Sequence, residues 1–311
     1  MSAAWAKPHK LKPLTPAPIR VPFPFSPAVV PPGSSFFWLT LQVSGFKLQV
    51  MLGLFDSGVG GLTVVRELLR RSPQASFLYL GDTARTPYGN KSPDVLRQFA
   101  VEDASFLIDH GATDIVVACN TVSSVAMDVL RETFSSIRFF DVITPAVTVA
   151  VERKDDMVGV IGTRATISSG LYDTRLREAA NAKDQKIEVI SAACPLFVPL
   201  VEEQWTDRSE TKRIVRTYLQ PLRQKQVDAL ILGCTHYPML EDVIKASLQK
   251  RVHIIDSPSC VLDEVKRVAP ELLAATATPT QQLFFTDLAP QTIQIVRRWI
   301  GSGISPEKVS L

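Results

Sequence analysis

The stretch Asp114-Ile115-Val116-Val117-Ala118-Cys119-Asn120-Thr121 decides how the rest of the chain is read. An unbroken apolar, mostly β-branched run suits a strand buried on both faces of a parallel sheet. Cys119 then falls where the strand ends, at the edge where open α/β sheets place their ligands. About a hundred residues later the pattern returns as Asp228-Ala229-Leu230-Ile231-Leu232-Gly233-Cys234-Thr235-His236. Two cysteines at strand ends, each followed by a polar pair, raise the possibility of paired thiol chemistry.

Working outward, Met51-Leu-Gly-Leu-Phe55 reads as a first strand that runs into Asp56-Ser57-Gly58-Val59-Gly60-Gly61. Glycines here permit a tight strand-to-helix turn with exposed backbone amides. The pattern is neither GxGxxG nor a Walker loop. Leu62–Arg71 reads as a helix stopped by Ser72-Pro73, and Phe77–Leu80 as a second strand closed by Gly81-Asp82. In the following loop, Pro87-Tyr88-Gly89 is a turn able to lower a phenol over a cleft. A helix is expected from Ser92-Pro93 to Gly111, then one over about Val122–Phe134 and a strand near Arg138–Val142.

The second half restarts: Met157-Val-Gly-Val-Ile-Gly-Thr163 echoes Met51-Leu-Gly-Leu-Phe-Asp-Ser57, and in each half the cysteine follows after some 60–70 residues. Helices over about Ile167–Ala180 and Asp207–Gln224 and a strand over Ile187–Ile190 fill the interval. Strand and helix alternation of this kind argues for parallel βαβ units. The expected fold class is therefore α/β, with two similar lobes, mainly parallel sheets, and a site in the cleft between them. The tail, with strands Val252–Ile255 and Leu283–Phe285 and helices from Asp256-Ser257-Pro258 and over Pro290–Ile300, is expected to return to the first lobe. The division is 51–144 plus 261–311 for the first lobe and 145–260 for the second.

Residues 1–50 differ from the rest. They hold nine of the 22 prolines and five basic residues (Lys7, Lys10, Lys12, Arg20, Lys47) with no acidic one. The remainder carries 29 basic and 31 acidic side chains, a net charge of −2. Such a Pro-rich basic arm is expected to be disordered or extended. It reads as a regulatory or solubilising extension, a weak targeting segment, or sequence upstream of a true start at Met51. Its apolar cluster Phe36-Phe37-Trp38-Leu39 is far short of the roughly 20 residues of a membrane span.

The overall charge of +3 gives no argument for nucleic acid as main partner. Four cysteines in a chain of 311 residues are not a disulfide framework, and without a CxxC pair no metal site is expected. Cys194 and Cys260 lack a polar suite after a strand and read as small buried apolar side chains. Cys119 and Cys234 have one. A positioned thiolate is a good base, and two thiols on opposite sides of a carbon can remove a proton from one face and return it to the other. That inverts a stereocentre without an electron-sink cofactor, provided that fixed dipoles bind the carboxylates and water is excluded. Ser57, Asn120, Thr121, Thr235 and the Gly58–Gly61 amides offer the dipoles. Asp56 and His236 could tune the thiols or bind an ammonium. Glu202-Glu203, reached through Cys194-Pro-Leu-Phe-Val-Pro-Leu, is compatible with a cleft position.

Phe55-Asp-Ser-Gly-Val-Gly-Gly-Leu62, Pro87-Tyr-Gly89, Val117-Ala-Cys-Asn-Thr121 and Leu232-Gly-Cys-Thr-His-Tyr-Pro238 together resemble the motifs of the glutamate racemases, over essentially residues 51–311. The resemblance implies a cofactor-independent, two-base racemase that interconverts L- and D-glutamate and supplies D-glutamate for peptidoglycan. It implies Cys119 and Cys234 as paired acid and base. Asp56, Ser57, Tyr88, Gly89, Asn120, Thr121, Thr235 and His236 are then substrate-binding, and Glu202 an assisting carboxylate. Expected partners are the small-molecule substrate and a second copy of the chain, as homodimer or in monomer–dimer exchange, with no membrane and a cytoplasmic location. Some family members carry N-terminal extensions tied to activation by a cell-wall precursor, and some bind DNA gyrase; the residues assign neither property here. The related aspartate racemases tend to have Cys-Thr-Glu where this chain has Cys234-Thr235-His236, which favours glutamate. A non-catalytic, two-lobed binding protein would need no thiols on both sides of a cleft.

Overall fold

The computed structural model describes residues 50–248 and 252–311; what the sequence suggests for residues 1–49 lies outside them. The described residues form ten strands: β1 (Leu52–Asp56), β2 (Phe77–Gly81), β3 (Asp114–Val117), β4 (Arg138–Asp141), β5 (Met157–Gly162), β6 (Glu188–Ala193), β7 (Ala229–Gly233), β8 (His253–Asp256), β9 (Gln281–Phe285) and β10 (Pro306–Lys308). They form a six-stranded sheet ordered β10-β9-β2-β1-β3-β4 and a four-stranded sheet ordered β6-β5-β7-β8. Every paired neighbour is parallel. Parallel pairing needs crossover helices, which cover the sheet faces and bury the strands on both sides. Accordingly β1, β2, β3 and β7 are buried along their whole length. This is why their sequences are unbroken apolar runs rather than alternating ones.

The internal echo in the sequence has a topological counterpart. The order β2-β1-β3-β4 in the larger sheet is repeated as β6-β5-β7-β8 in the smaller. In each set the first strand lies between the second and third, so the crossovers leave in opposite directions from the gap between first and third. That gap is the switch point where open α/β sheets bind ligands, outside the carboxyl ends of the strands. Cys119 follows the third strand of one set and Cys234 the third strand of the other. One apolar cluster runs from Leu54, Leu62 and Val65 through Val261 to Phe197, Leu219 and Tyr237, joining the helices and strands around both sheets. Full burial of a Leu or Val side chain of this kind is worth about 1.5–3 kcal/mol.

Several elements depart from the sequence expectation. β3 ends at Val117, and Cys119 is the residue that precedes a four-residue helix, Asn120–Ser123. The single helix expected over Val122–Phe134 is thus two, the second being Met127–Thr133. Ser123 Oγ donates to the Val117 carbonyl and Ser124 Oγ to the Thr121 carbonyl. Such local bonds compete with the helical ladder and turn the chain. The helix expected over Ile167–Ala180 is also split, into Arg164–Ser168 and Leu171–Asn181, by Gly170 in the left-handed region (φ 66°). The helix expected over Asp207–Gln224 divides into Ser209–Tyr218 and Gln220–Lys225, with Pro221 in the first turn of the second piece. Helices Ile143–Glu152, Phe197–Glu202 and Glu241–Ser247 and the edge strand β10 were not foreseen. Of the tail expected to return to the first lobe, β9 pairs with β2 and carries β10 at the edge of the larger sheet, whereas β8 joins the smaller sheet beside β7, because its register matches that of the preceding β7.

Candidate active site

The carboxyl ends of β1, β3, β5 and β7, with the loop after β2 and the segment after β6, surround one cavity of about 200 Å³. Ser57, Tyr88, Gly89, Cys119, Asn120, Thr121, Glu202, Cys234, Thr235 and His236 all line it. Asp56 and the Gly58–Gly61 turn, whose amides were expected to face substrate, are not part of the lining, nor is Glu203. Asp56 is fully buried, its Oδ2 accepting from the Gly58 amide (3.1 Å) and its Oδ1 from Thr235 Oγ1 (3.3 Å). Burial raises the Asp56 carboxyl above its ordinary value, opposed by the nearby His236 charge and by these hydrogen bonds. Cys194 and Cys260 are buried and outside the lining. Burial pushes both thiols up, Cys260 to about 12. They fit the apolar reading.

The two cavity cysteines have different surroundings. Cys234 Sγ is 3.9 Å from His236 Nδ1, and His236 Nε2 is 3.1 Å from Glu202 Oε1. The imidazole is buried, which works against its charged form. Hydrogen bonding to Cys234 and to Glu202 outweighs that penalty and pushes His236 up to about 10. At neutral pH an imidazolium therefore stands between the sulfur and the carboxylate. Cys119 has no such partner. Burial, then the Asp56 charge, push its thiol up to about 12 against hydrogen bonds from the Val122 amide and Ser57. One thiol thus faces a cation and the other is held protonated.

Polar groups lining the cavity are held by contacts between the two sheets' elements. Tyr172 OH donates to Asn120 Oδ1 (2.7 Å), while Asn120 Nδ2, fully buried, has no partner. A buried amide donor left open in this way has a ligand acceptor as its natural partner. Thr121 Oγ1 is 3.0 Å from Thr163 Oγ1, and Thr63 Oγ1 donates to the Thr235 carbonyl (3.1 Å). Gly60 is required by close approach: a Cβ there would lie 2.2 Å from Thr235 Oγ1 and 2.4 Å from His236 Nδ1. The Asp-Ser-Gly-Val-Gly-Gly turn thereby packs directly against Cys234's neighbours.

Tyr88 lines the cavity, but its hydroxyl is turned to the buried carboxyls of Asp82 and Asp103. The phenol expected over the cleft is therefore committed elsewhere. Lining residues that the sequence reading did not name include Thr86, Thr163, Arg164 and Val198. Thr163 was within reach, since it occupies in the second half the place of Ser57 in the first. Tyr172 had no local signal. Among the described residues no group of three or more His, Cys, Asp or Glu side chains is placed to hold a metal ion, and no helix is long and apolar enough to cross a membrane.

Comparison with known proteins agrees with the fold. The family model described as Asp/Glu/Hydantoin racemase matches residues 64–265. The chain belongs to this family. Among its relatives, a glutamate racemase from Persephonella marina is 44% identical over 261 residues, covering 84% of this chain and 97% of that protein. A glutamate racemase structure from Bacillus anthracis superposes with a TM-score of 0.79 at 37% identity, covering 84% of this chain and 98% of the other. One from Francisella tularensis, solved in complex with D-glutamate, gives 0.76 at 35%, covering 85% and 98%. Within the Asp/Glu/Hydantoin racemases the chain thus groups with the glutamate racemases, and it is an amino-acid racemase, an isomerase.

Proposed function

We propose that the protein interconverts L- and D-glutamate by proton transfer between Cys119 and Cys234. The observation that supports this most is that the corresponding third strands of two repeated β-sheet units each deliver a cysteine to one cavity of about 200 Å³. On this reading one cysteine, as thiolate, takes the Cα proton from one face. The other, as thiol, returns a proton to the opposite face. His236 stands beside the Cys234 sulfur, and the raised Cys119 keeps its proton for delivery. After turnover the protonation states are exchanged, which is what the reverse reaction needs. The open Asn120 amide, the Thr121 and Thr235 hydroxyls and Ser57 bind the carboxylates, where carbanionic charge develops. Asp56 acts through Thr235 and the Gly58 amide, and Glu202 by orienting His236. Tyr88 and Gly89 bind substrate by forming the cavity edge. The chemistry requires no carbonyl cofactor.

The two repeated units act on this reading as two lobes, 51–144 with 261–311 and 145–260, closing on the substrate. The biological role is supply of D-glutamate to peptidoglycan in the cytoplasm, with the enzyme working as a homodimer or in monomer–dimer exchange. The test is a chiral assay of purified protein given L-glutamate and, in parallel, L-aspartate, with and without pyridoxal phosphate. Glutamate is expected to approach an equal mixture of enantiomers unaffected by the cofactor. Conversion of aspartate in preference to glutamate would overturn the substrate assignment.

A further inference from the structure

Behind the cavity edge formed by Thr86–Asn90 lies a buried polar cluster that the proton transfer itself does not use. Asp82, just after β2, and Asp103, in the helix Pro93–Asp109, are both fully buried. The Tyr88 hydroxyl lies against Asp82 Oδ2 and 3.1 Å from Asp103 Oδ2. Arg85 Nε donates to Asp82 Oδ2 (2.5 Å) and Nη2 to Asp103 Oδ1 (2.9 Å), while Nη1 pairs with Glu102. The guanidinium stacks 4.0 Å over the Phe99 ring, and Thr286 Oγ1 donates to Asp82 Oδ1 (2.8 Å). Three carboxyls thus share one guanidinium. A single hydroxyl proton serves one carboxylate, so the second contact of Tyr88 needs a proton from the carboxyl side.

We propose that Asp103 is a positioning residue for the racemase reaction: as a neutral acid it donates to the Tyr88 oxygen, Tyr88 donates to Asp82, and this chain fixes the Tyr88-Gly89 edge against the substrate. Burial, and then the Asp82 charge, hold the Asp103 carboxyl well above the usual range, which fits the protonated form. The closeness of the edge to the opposite side fits too. A Cβ on Gly89 would lie 2.9 Å from Thr163 Cβ, so a small tilt of Tyr88 alters the width of the cavity. The inference rests on the racemase reading of the cavity.

The test compares Asp103→Asn, Asp103→Ala, Tyr88→Phe and the double variant in the glutamate assay, with melting curves alongside. Asp103→Asn keeps a donor of the same shape and is expected to hold KM within about twofold. Asp103→Ala is expected to raise KM about tenfold, the size of one buried hydrogen bond, with kcat within about threefold. Tyr88→Phe is expected to do the same, and the double variant to add no more than about twofold, because both changes break one chain. Unchanged KM in Asp103→Ala, or independent effects that multiply, would overturn the proposal. Should Asp103→Ala not fold, Asp103→Asn and Tyr88→Phe carry the test: a KM raised well beyond twofold in the first, or unchanged in the second, would overturn the proposal. A wild-type protein that does not racemise glutamate would instead sink the reading on which the inference rests.

Discussion

Replacing His236 with Asn tests the asymmetry between the two thiols quantitatively. In the native site the imidazole titrates at about 10 rather than 6.5, although burial alone would lower it. A shift of that size is a preference for the charged form on the order of 5 kcal/mol. It comes from the Cys234 sulfur at 3.9 Å and Glu202 Oε1 at 3.1 Å. Divided evenly, about 2–3 kcal/mol links His236 to the sulfur, and its loss should lower kcat/KM roughly 30- to 160-fold. Enantiomers have an equilibrium constant of unity, so the fall must be equal in the L-to-D and D-to-L directions. That equality checks the assay itself. The alkaline fall in wild-type kcat/KM near pH 10, where the imidazolium deprotonates, should be lost in the variant. Stability carries the same sign: a raised histidine contributes stability that is full below about 6.5 and lost as pH rises through about 10. The measurement is racemisation rate against pH in both directions, with melting curves over the same range. An unchanged kcat/KM with an intact alkaline fall would refute the reasoning.

Gly60→Ala should cost about 1–3 kcal/mol by overpacking against Thr235 and His236 and should lower activity further by displacing them; an unchanged melting temperature would show that the turn can yield. Asn120→Ala removes the open amide donor and the Tyr172 partner, and KM should rise about tenfold in steady-state assays. Asp56 is raised by burial, so its contribution to stability is full below about pH 4 and lost as pH rises; Asp56→Asn should flatten that decline in a melting series while reducing turnover. A chain beginning at Met51 should keep its melting temperature and rate, since every described strand and helix starts at Leu52 or later.

Much of this fold was legible because buried parallel strands leave an unmistakable trace. Asp114–Val117 and Ala229–Gly233 are uninterrupted apolar runs, and the helix Leu62–Arg71 ended where Ser72-Pro73 said it should. Breaks within helices were less visible. The split after Ser123 depends on serine hydroxyls that choose a backbone carbonyl, a choice decided by packing rather than by composition. The site was legible where a residue follows a strand, as at Cys119, Asn120, Thr121, Cys234, Thr235 and His236, because strand ends converge on one edge of the sheet. Contacts between distant segments were not. Neither the turn of the Tyr88 hydroxyl toward Asp103 nor the reach of Tyr172 to Asn120 has any sequence period to announce it.

Cys119→Ala and Cys234→Ala should each cut racemisation by several orders of magnitude, and the double variant should be little worse than either, because the thiols act as a unit. The central claim, two bases on two faces, is tested most directly by running L-glutamate with the wild-type protein in deuterated water and reading isotopes at low conversion. The account predicts D-glutamate that carries deuterium at Cα while the unreacted L-glutamate stays protiated. Product that retains protium, or deuterium appearing equally in the remaining L-glutamate, would mean that a single base serves both faces.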